Sequence, residues 1–363
     1  MNSKERVLTA LHYEEPDRVP IFYLGFTPQW VERLIGRRPK DFVKDYLPIF
    51  YRFSSDIIVV SPDVFYPFDV YARGEWVDEW GRKLRVVGYY CEFVDFPIKK
   101  PEDIDSYTPP DPDKPERVKD IIKVKKVVRE EKAIMSVVNG PFEMAYLLRG
   151  LDTFLKDLRV NPKLAEKCLD IATEFEIQMG IRVIEAGADI VMIGDDYGWQ
   201  KSLLMHPELW RKFILPRLKK VVQEFKKRNV SVILHSDGNI TALLDDLAAI
   251  GLDGLNPIQI RCGVSPEYIK KRYPKLAMVG LIDEQYLLPF GSREEIMNEI
   301  KRIILAVAPG GGLILGPQHN VQPDIPVKNI EIMVDAIKKY GRYPIKDIDT
   351  DSSRQEASIK RKI

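Results

Sequence analysis

The chain is poor in cysteine and histidine: its 363 residues hold three cysteines (Cys91, Cys168 and Cys262) and four histidines. An odd, scattered set of thiols does not make a disulfide framework, so a reducing cytoplasm is the expected compartment. Charge of one sign is also lacking. Lys and Arg total 55 against 54 for Asp and Glu, a formal net charge of +1, which removes the basic footprint of a nucleic-acid binder. No apolar run approaches the ~20 residues that a membrane helix needs, and the opening stretch "MNSKERVLTALHYEEPDRVP" has no signal-peptide core. Neither nucleic acid nor membrane is expected as a partner.

What is present is a globular composition, 45% hydrophobic and 30% charged, patterned as short β-branched runs between long amphipathic stretches. The runs are "VPIFYLGF" (19–26), "DIIVVSP" (56–62), "AIMSVVNG" (133–140), "ADIVMIGDD" (188–196), "VSVILHSDG" (230–238), "DGLNPIQ" (253–259), "LAMVGLID" (276–283) and "GLILGPQHN" (312–320). Continuous apolar runs mark strands buried on both faces, hence a parallel sheet covered by helices. Residues 207–229 and 292–310 read as two of those helices, and Ser292 with Glu295 gives the second a capping-box start. Eight such units predict a single (β/α)8 TIM barrel over residues 1–344, above the ~250-residue type size. The surplus lies in 74–113, which alternates like a β-hairpin excursion after strand 2 and ends Pro-rich; the tail 345–363 is polar and expected to fray.

A barrel of this kind places its chemistry at the C-terminal ends of the strands. Those ends carry Asp63, Asn139, Asp195 with Asp196 and Tyr197, His235 with Asp237, Asn256 with Gln259, Asp283, and His319 with Asn320. Any one of these residues also suits helix capping. His235 and Asp237 are spaced to reach one side of an extended strand, and His319 would complete three N/O ligands with a position left open. The competing reading is a polar pocket in which both histidines are hydrogen-bonded without metal. His12 and His206 fall in helical contexts at the surface. Of the Asp195–Asp196 pair, Asp195 is expected to face the mouth while Asp196 caps a loop. Gly310, Gly311 and Gly312 precede strand 8 and so turn at the bottom of the barrel, which excludes a phosphate loop. Tyr71, Trp76, Trp80, Tyr89 and Tyr90 read as core of the excursion, and Cys262 as a passive thiol.

The segments "RVLTALHYEEPDRVP", "GPFEMAYLLRG", "HSDGNITALLDDLAAIGLDGLNPIQ" and "LILGPQHNVQPDIPVKNI" resemble the uroporphyrinogen decarboxylase superfamily across residues 1–340. That superfamily also holds methylcobalamin:coenzyme M methyltransferases and corrinoid-dependent demethylation enzymes. For the decarboxylase the resemblance implies an arginine pair near the N-terminus, where this chain has Gly25 and Gln29 in "PIFYLGFTPQ". Neutral residues cannot replace bidentate carboxylate forks. Asp63, Tyr146 and His319 match decarboxylase site positions, and Asp195 replaces a serine. The methyltransferase branch implies zinc on a His-x-Cys and a further Cys; His235 matches the histidine, while Asp237 and His319 stand at the two cysteine positions. A His2Asp set is harder and more Lewis acidic than a thiolate set, so the substrate need not be a thiol.

The expectation that follows is a metal-assisted methyltransferase that moves a methyl group between a small molecule and a corrinoid carried by a partner protein. His235, Asp237 and His319 would hold a divalent metal, zinc first among candidates. Asp63, Asp195 and Tyr146 would be catalytic, and Asn139, Asp196, Tyr197, Asn256, Gln259 and Asn320 would line the substrate site. One alternative is a metal-free decarboxylase using Asp63, Tyr146 and His319; another is a barrel that binds a corrinoid or small molecule without turnover. A homodimer is left open.

Overall fold

The computed structural model describes residues 1–62, 74–88 and 90–347. Asp63, Tyr71, Tyr89 and the tail from 348 lie outside the described residues, as does the side chain of Tyr90. Ten strands occur among those described: β1 (Ile57–Val59), β2 (Glu75–Val77), β3 (Lys83–Val87), β4 (Tyr90–Asp95), β5 (Ala133–Asn139), β6 (Ile190–Gly194), β7 (Ser231–His235), β8 (Gly254–Asn256), β9 (Ala277–Val279) and β10 (Leu313–Ile314). Seven form one parallel sheet in the order β1-β5-β6-β7-β8-β9-β10. Each of the seven is preceded or followed by helix, which supplies the right-handed return that parallel pairing needs. Their Val, Ile and Leu side chains are buried on both faces apart from half-buried Val137, as continuous apolar runs require.

The eighth position is filled by the first predicted run, but not as a regular strand. Ile21 makes a parallel bridge to Leu315, and Phe26 to Val321. The Phe22 N–H donates to the Leu315 carbonyl at 3.0 Å, and the Asp56 N–H to the Ile21 carbonyl at 2.8 Å. The ladder stays irregular for a local reason. Pro20 has no N–H to give, and the Ile21 N–H donates at 2.8 Å to the Asp56 carboxylate instead of to a strand carbonyl. Buried Asp56 is itself held by Arg6 at 2.7 Å and by Arg18 at 2.8 Å. The seam is thus closed in part by a charged side chain, at the end of the barrel opposite the site.

Two further expectations change in detail. The stretch 207–229 is two helices, Pro207–Phe213 and Leu215–Lys226; Pro216 lacks the N–H that would continue the first helix. The excursion carries three antiparallel strands, β2-β3-β4, rather than a simple hairpin. Trp80 pins it to the barrel by packing edge-on against Phe175 at 4.5 Å. Gly310, Gly311 and Gly312 all adopt φ near +78° just before β10. A Cβ on Gly311 would meet the Glu14 carbonyl at 2.3 Å, so this turn packs tightly against the end of the helix Ser3–Leu11 at the bottom of the barrel.

Candidate active site

The C-terminal ends of the strands surround a cavity of about 570 Å³. Its floor is polar, with Asn139 from β5, Asp196 after β6, His235 ending β7, and His319 and Asn320 after β10. Its outer wall is apolar and aromatic, drawn from residues 24–28, Phe42, Tyr46, Phe50 and Phe93.

The β7 sequence Ser-Val-Ile-Leu-His is wholly buried, which carries His235 to the mouth on a rigid strand. There its Nδ1 lies 2.6 Å from Asn256 Oδ1. The same amide donates through Nδ2 to the Val279 carbonyl at 3.0 Å. This second bond fixes which end of Asn256 is oxygen, so His235 Nδ1 carries the proton and Nε2 keeps a free lone pair. Gly238, with φ +80°, turns the chain directly after the strand and returns Asp237 toward the histidine. Gln259 holds that turn at two points: Nε2 donates to Asp237 Oδ1 at 2.9 Å, and Oε1 accepts from the Gly238 N–H at 2.7 Å. His319 meets His235 edge to face, with ring centroids 5.4 Å apart. Ligand atoms of His235, Asp237 and His319 all lie within 4.8 Å of one another.

The donor set fits a divalent cation. It offers two neutral imidazoles and one carboxylate, with Asn256 and Gln259 orienting ligands from behind as supporting partners do at metal sites. Burial, helped by His235 alongside, pushes the His319 imidazole down to about 4, which keeps it in the neutral form that can ligate. The His319 backbone N–H donates to Glu284 at 2.7 Å. Burial raises the Glu284 carboxyl to about 8.

The paired aspartates are reversed relative to expectation. Asp196 lines the cavity, 3.9 Å from His235 Nε2, and accepts the Asp237 N–H at 2.8 Å; burial raises its carboxyl above the usual range. Asp195 turns away and is fully buried. Its carboxylate accepts the Glu143 N–H at 2.6 Å, the Phe142 N–H at 3.2 Å and the Tyr197 hydroxyl at 2.6 Å. It therefore caps the helix Pro141–Arg149, whose N-cap residue is Gly140 and has no side chain to do so. A Cβ on Gly140 would lie 2.1 Å from Asp195 Cγ, so the glycine is what admits the aspartate. Burial brings the Asp195 carboxyl up to about 7.

The remaining expected residues divide in the same way. Asn139 and Asn320 line the cavity, whereas Tyr146 is absent from its described wall and packs at 5.1 Å against Phe142 on its own helix. Tyr197 is buried, and packs on Trp210 at 5.3 Å. Asn256 and Gln259 act on His235 and Asp237 rather than on the cavity. Asn320 closes over Gly25, since a Cβ there would lie 2.5 Å from Asn320 Oδ1 and would push that side chain aside.

Two acids join the site that the strand ends did not point to. Glu143 and Glu176 both line the cavity. Glu176 accepts from the Asn139 backbone N–H at 3.1 Å and from its Nδ2 at 3.4 Å, and burial raises its carboxyl to about 8. A signal for it existed in the sequence. On the helix Pro162–Glu185 it falls in the apolar stripe with Leu169, Ala172, Met179 and Val183, and a charged residue on such a stripe is exceptional.

The arrangement can be set beside known proteins. The uroporphyrinogen decarboxylase (URO-D) pattern matches residues 2–340. A methylcobamide:CoM methyltransferase of Methanosarcina barkeri is 31% identical over 62% of this chain and 64% of its own length, so the match spans just under two thirds of that relative. A uroporphyrinogen decarboxylase of Alkalilimnicola ehrlichii is 25% identical over 97% of this chain and 98% of its own. A solved methyltransferase from Methanosarcina mazei superposes with TM-score 0.77 at 24% identity, over 94% of this chain and 99% of that one, and supports the barrel fold. Among the described residues no helix is long and apolar enough to cross a membrane.

Proposed function

The chain belongs to the uroporphyrinogen decarboxylase family, and from that footing we propose that it is a metal-assisted methyltransferase. It would move a methyl group between a small molecule and a corrinoid carried by a partner protein. The observation that carries this reading is the His235–Asp237–His319 group, whose ligand atoms lie within 4.8 Å of one another at the mouth of the cavity. Methyltransferases and decarboxylases both stand among the relatives. The decarboxylase reading asks for basic clamps on a polycarboxylate, and none of the described lining residues is Lys or Arg.

His235 through Nε2, His319 through a ring nitrogen and Asp237 through its carboxylate would hold the ion. A divalent ion such as zinc supplies Lewis acidity, polarising an oxygen, nitrogen or sulfur of the substrate so that its bond to methyl, or to a proton, is weakened. The residues of this chain do the positioning. Asn256 fixes the His235 tautomer, Gln259 fixes Asp237, and the Asp196 carboxylate anchors the Asp237 backbone. The aromatic side chains on the lining would shield the reacting end from water. Asn139 and Asn320 offer the cavity neutral donors and acceptors.

The test measures metal content and methyl exchange together. Full-length protein supplied with zinc should carry one ion per chain and exchange a methyl group with free methylcobalamin, followed by the corrinoid absorbance, in the presence of a suitable small molecule. His235→Ala should lose both. Metal-free protein that decarboxylates uroporphyrinogen would overturn the reading in favour of the decarboxylase. Corrinoid binding without exchange across a broad panel of methyl donors and acceptors would favour a binding barrel.

A further inference from the structure

Glu143, Glu176 and Asp196 all face one cavity, and its described lining residues include no lysine or arginine to balance them. Glu143 is the least balanced of the three. Among the described residues no donor reaches its carboxyl; only its backbone N–H is bonded, to Asp195 at 2.6 Å. Burial, with Asp196 and Asp195 nearby, raises this carboxyl well above the usual range. Glu176 receives only the neutral N–H groups of Asn139.

The positive charge that lies behind them is already matched. Arg82 is fully buried and paired with Asp78 at 2.6 Å. Its guanidinium lies over the Phe93 ring at 5.0 Å, and Phe93, not Arg82, lines the cavity. Asp120, also on the lining, is paired with Lys123 at 2.8 Å. An enclosed carboxyl facing a cavity stays protonated or finds a cation, because an unpaired buried charge costs several kcal/mol. A ligand with a positive nitrogen would supply the missing partner. The aromatic part of the lining suits the same ligand. Phe26, Phe42, Tyr46 and Phe50 all line the cavity, and aromatic rings with carboxylates together are what recognise organic ammonium groups. An anionic ligand would find no lysine or arginine among the described lining residues to pair with.

We propose that the substrate of this cavity carries a positively charged organic nitrogen, received between Glu143 and Glu176 against the aromatic wall. Its methyl-exchanging end would then point to His235 and His319. The orientation rests on the methyl-transfer reading of the mouth; the charge preference does not.

The experiment is calorimetric titration of the full-length protein, zinc-loaded and zinc-free, with three probes of one shape. These are choline, its neutral carbon isostere dimethylbutanol, and the anion dimethylbutanoate. In the zinc-free protein choline should bind at least about tenfold tighter than the alcohol, and the anion should bind no tighter than the alcohol. The double variant Glu143→Gln with Glu176→Gln should lose the preference for choline and keep its affinity for the alcohol, with a thermal melt confirming that it folds. Equal binding of the three, tightest binding of the anion, or no choline binding overturns the proposal. Preference for choline without zinc stoichiometry sinks the methyl-transfer reading alone, and zinc without preference sinks this one alone.

Discussion

His235 and Asn256 are register partners on adjacent strands β7 and β8, and their side chains meet at 2.6 Å while the far end of the same amide is tied to Val279 at 3.0 Å. The histidine tautomer is thereby set by a neighbour that is not part of the cavity lining. Replacing Asn256 with Leu keeps the volume and removes the acceptor. Zinc affinity, read by competition with a chelator, should fall about 10- to 100-fold, the usual cost of losing such a supporting contact. Unchanged affinity would mean that Asn256 does not orient a ligand.

Asp195 is expected to matter for stability before activity. Asp195→Ala strands three donors, the Phe142 and Glu143 N–H groups and the Tyr197 hydroxyl. At about 1–3 kcal/mol for each buried group left unpaired, the loss should be on the order of 3 kcal/mol or more. Chemical denaturation measures it. A variant as stable as the parent, but inactive, would return Asp195 to a direct catalytic role.

The stability of the fold should fall as pH rises toward 8. The Glu176 carboxyl sits at about 8 in the native state because burial disfavours its charge, whereas in the unfolded chain it titrates near its ordinary value of 4.5. Between those two values the native state binds the extra proton, so its contribution is full below about 4.5 and is lost as pH climbs through about 8. Asp195, at about 7, acts in the same direction. Glu176→Gln keeps the shape of the protonated acid. Urea titrations from about pH 5 to about pH 8, within that window, should give a flatter stability profile for the variant than for the parent; parallel profiles would refute the shift.

Uroporphyrinogen should be a poor substrate. Its many carboxylates would enter a cavity whose described wall carries no Lys or Arg to clamp them. Gly25 supplies no side chain to serve as a clamp, and Asn320 Oδ1 stands where its Cβ would be. Coproporphyrinogen formation should stay near background. Turnover at the rate of an ordinary decarboxylase would show that other basic groups serve.

Most of the barrel was legible in the order of residues, because period and polarity act locally. Unbroken Val and Ile runs specify strands covered on both faces, and the polar residue closing each run marks the mouth. Ser292 and Glu295 announced a helix start, and they do form the reciprocal cap at 3.3 and 2.8 Å. The grouping of His235, Asp237 and His319 was also readable, since strand ends of one barrel converge. What needed the tertiary structure was direction. Asp195 and Asp196 are adjacent in sequence and identical in type, yet one is drawn to a helix N-terminus because Gly140 leaves space for it, and the other is left facing the cavity. Glu176 became a cavity acid only when its helix turned the apolar stripe inward. Local sequence settles which residues share an element and a period; which face of that element meets a cavity, and which meets a neighbour's unpaired N–H, is decided only by packing against distant segments.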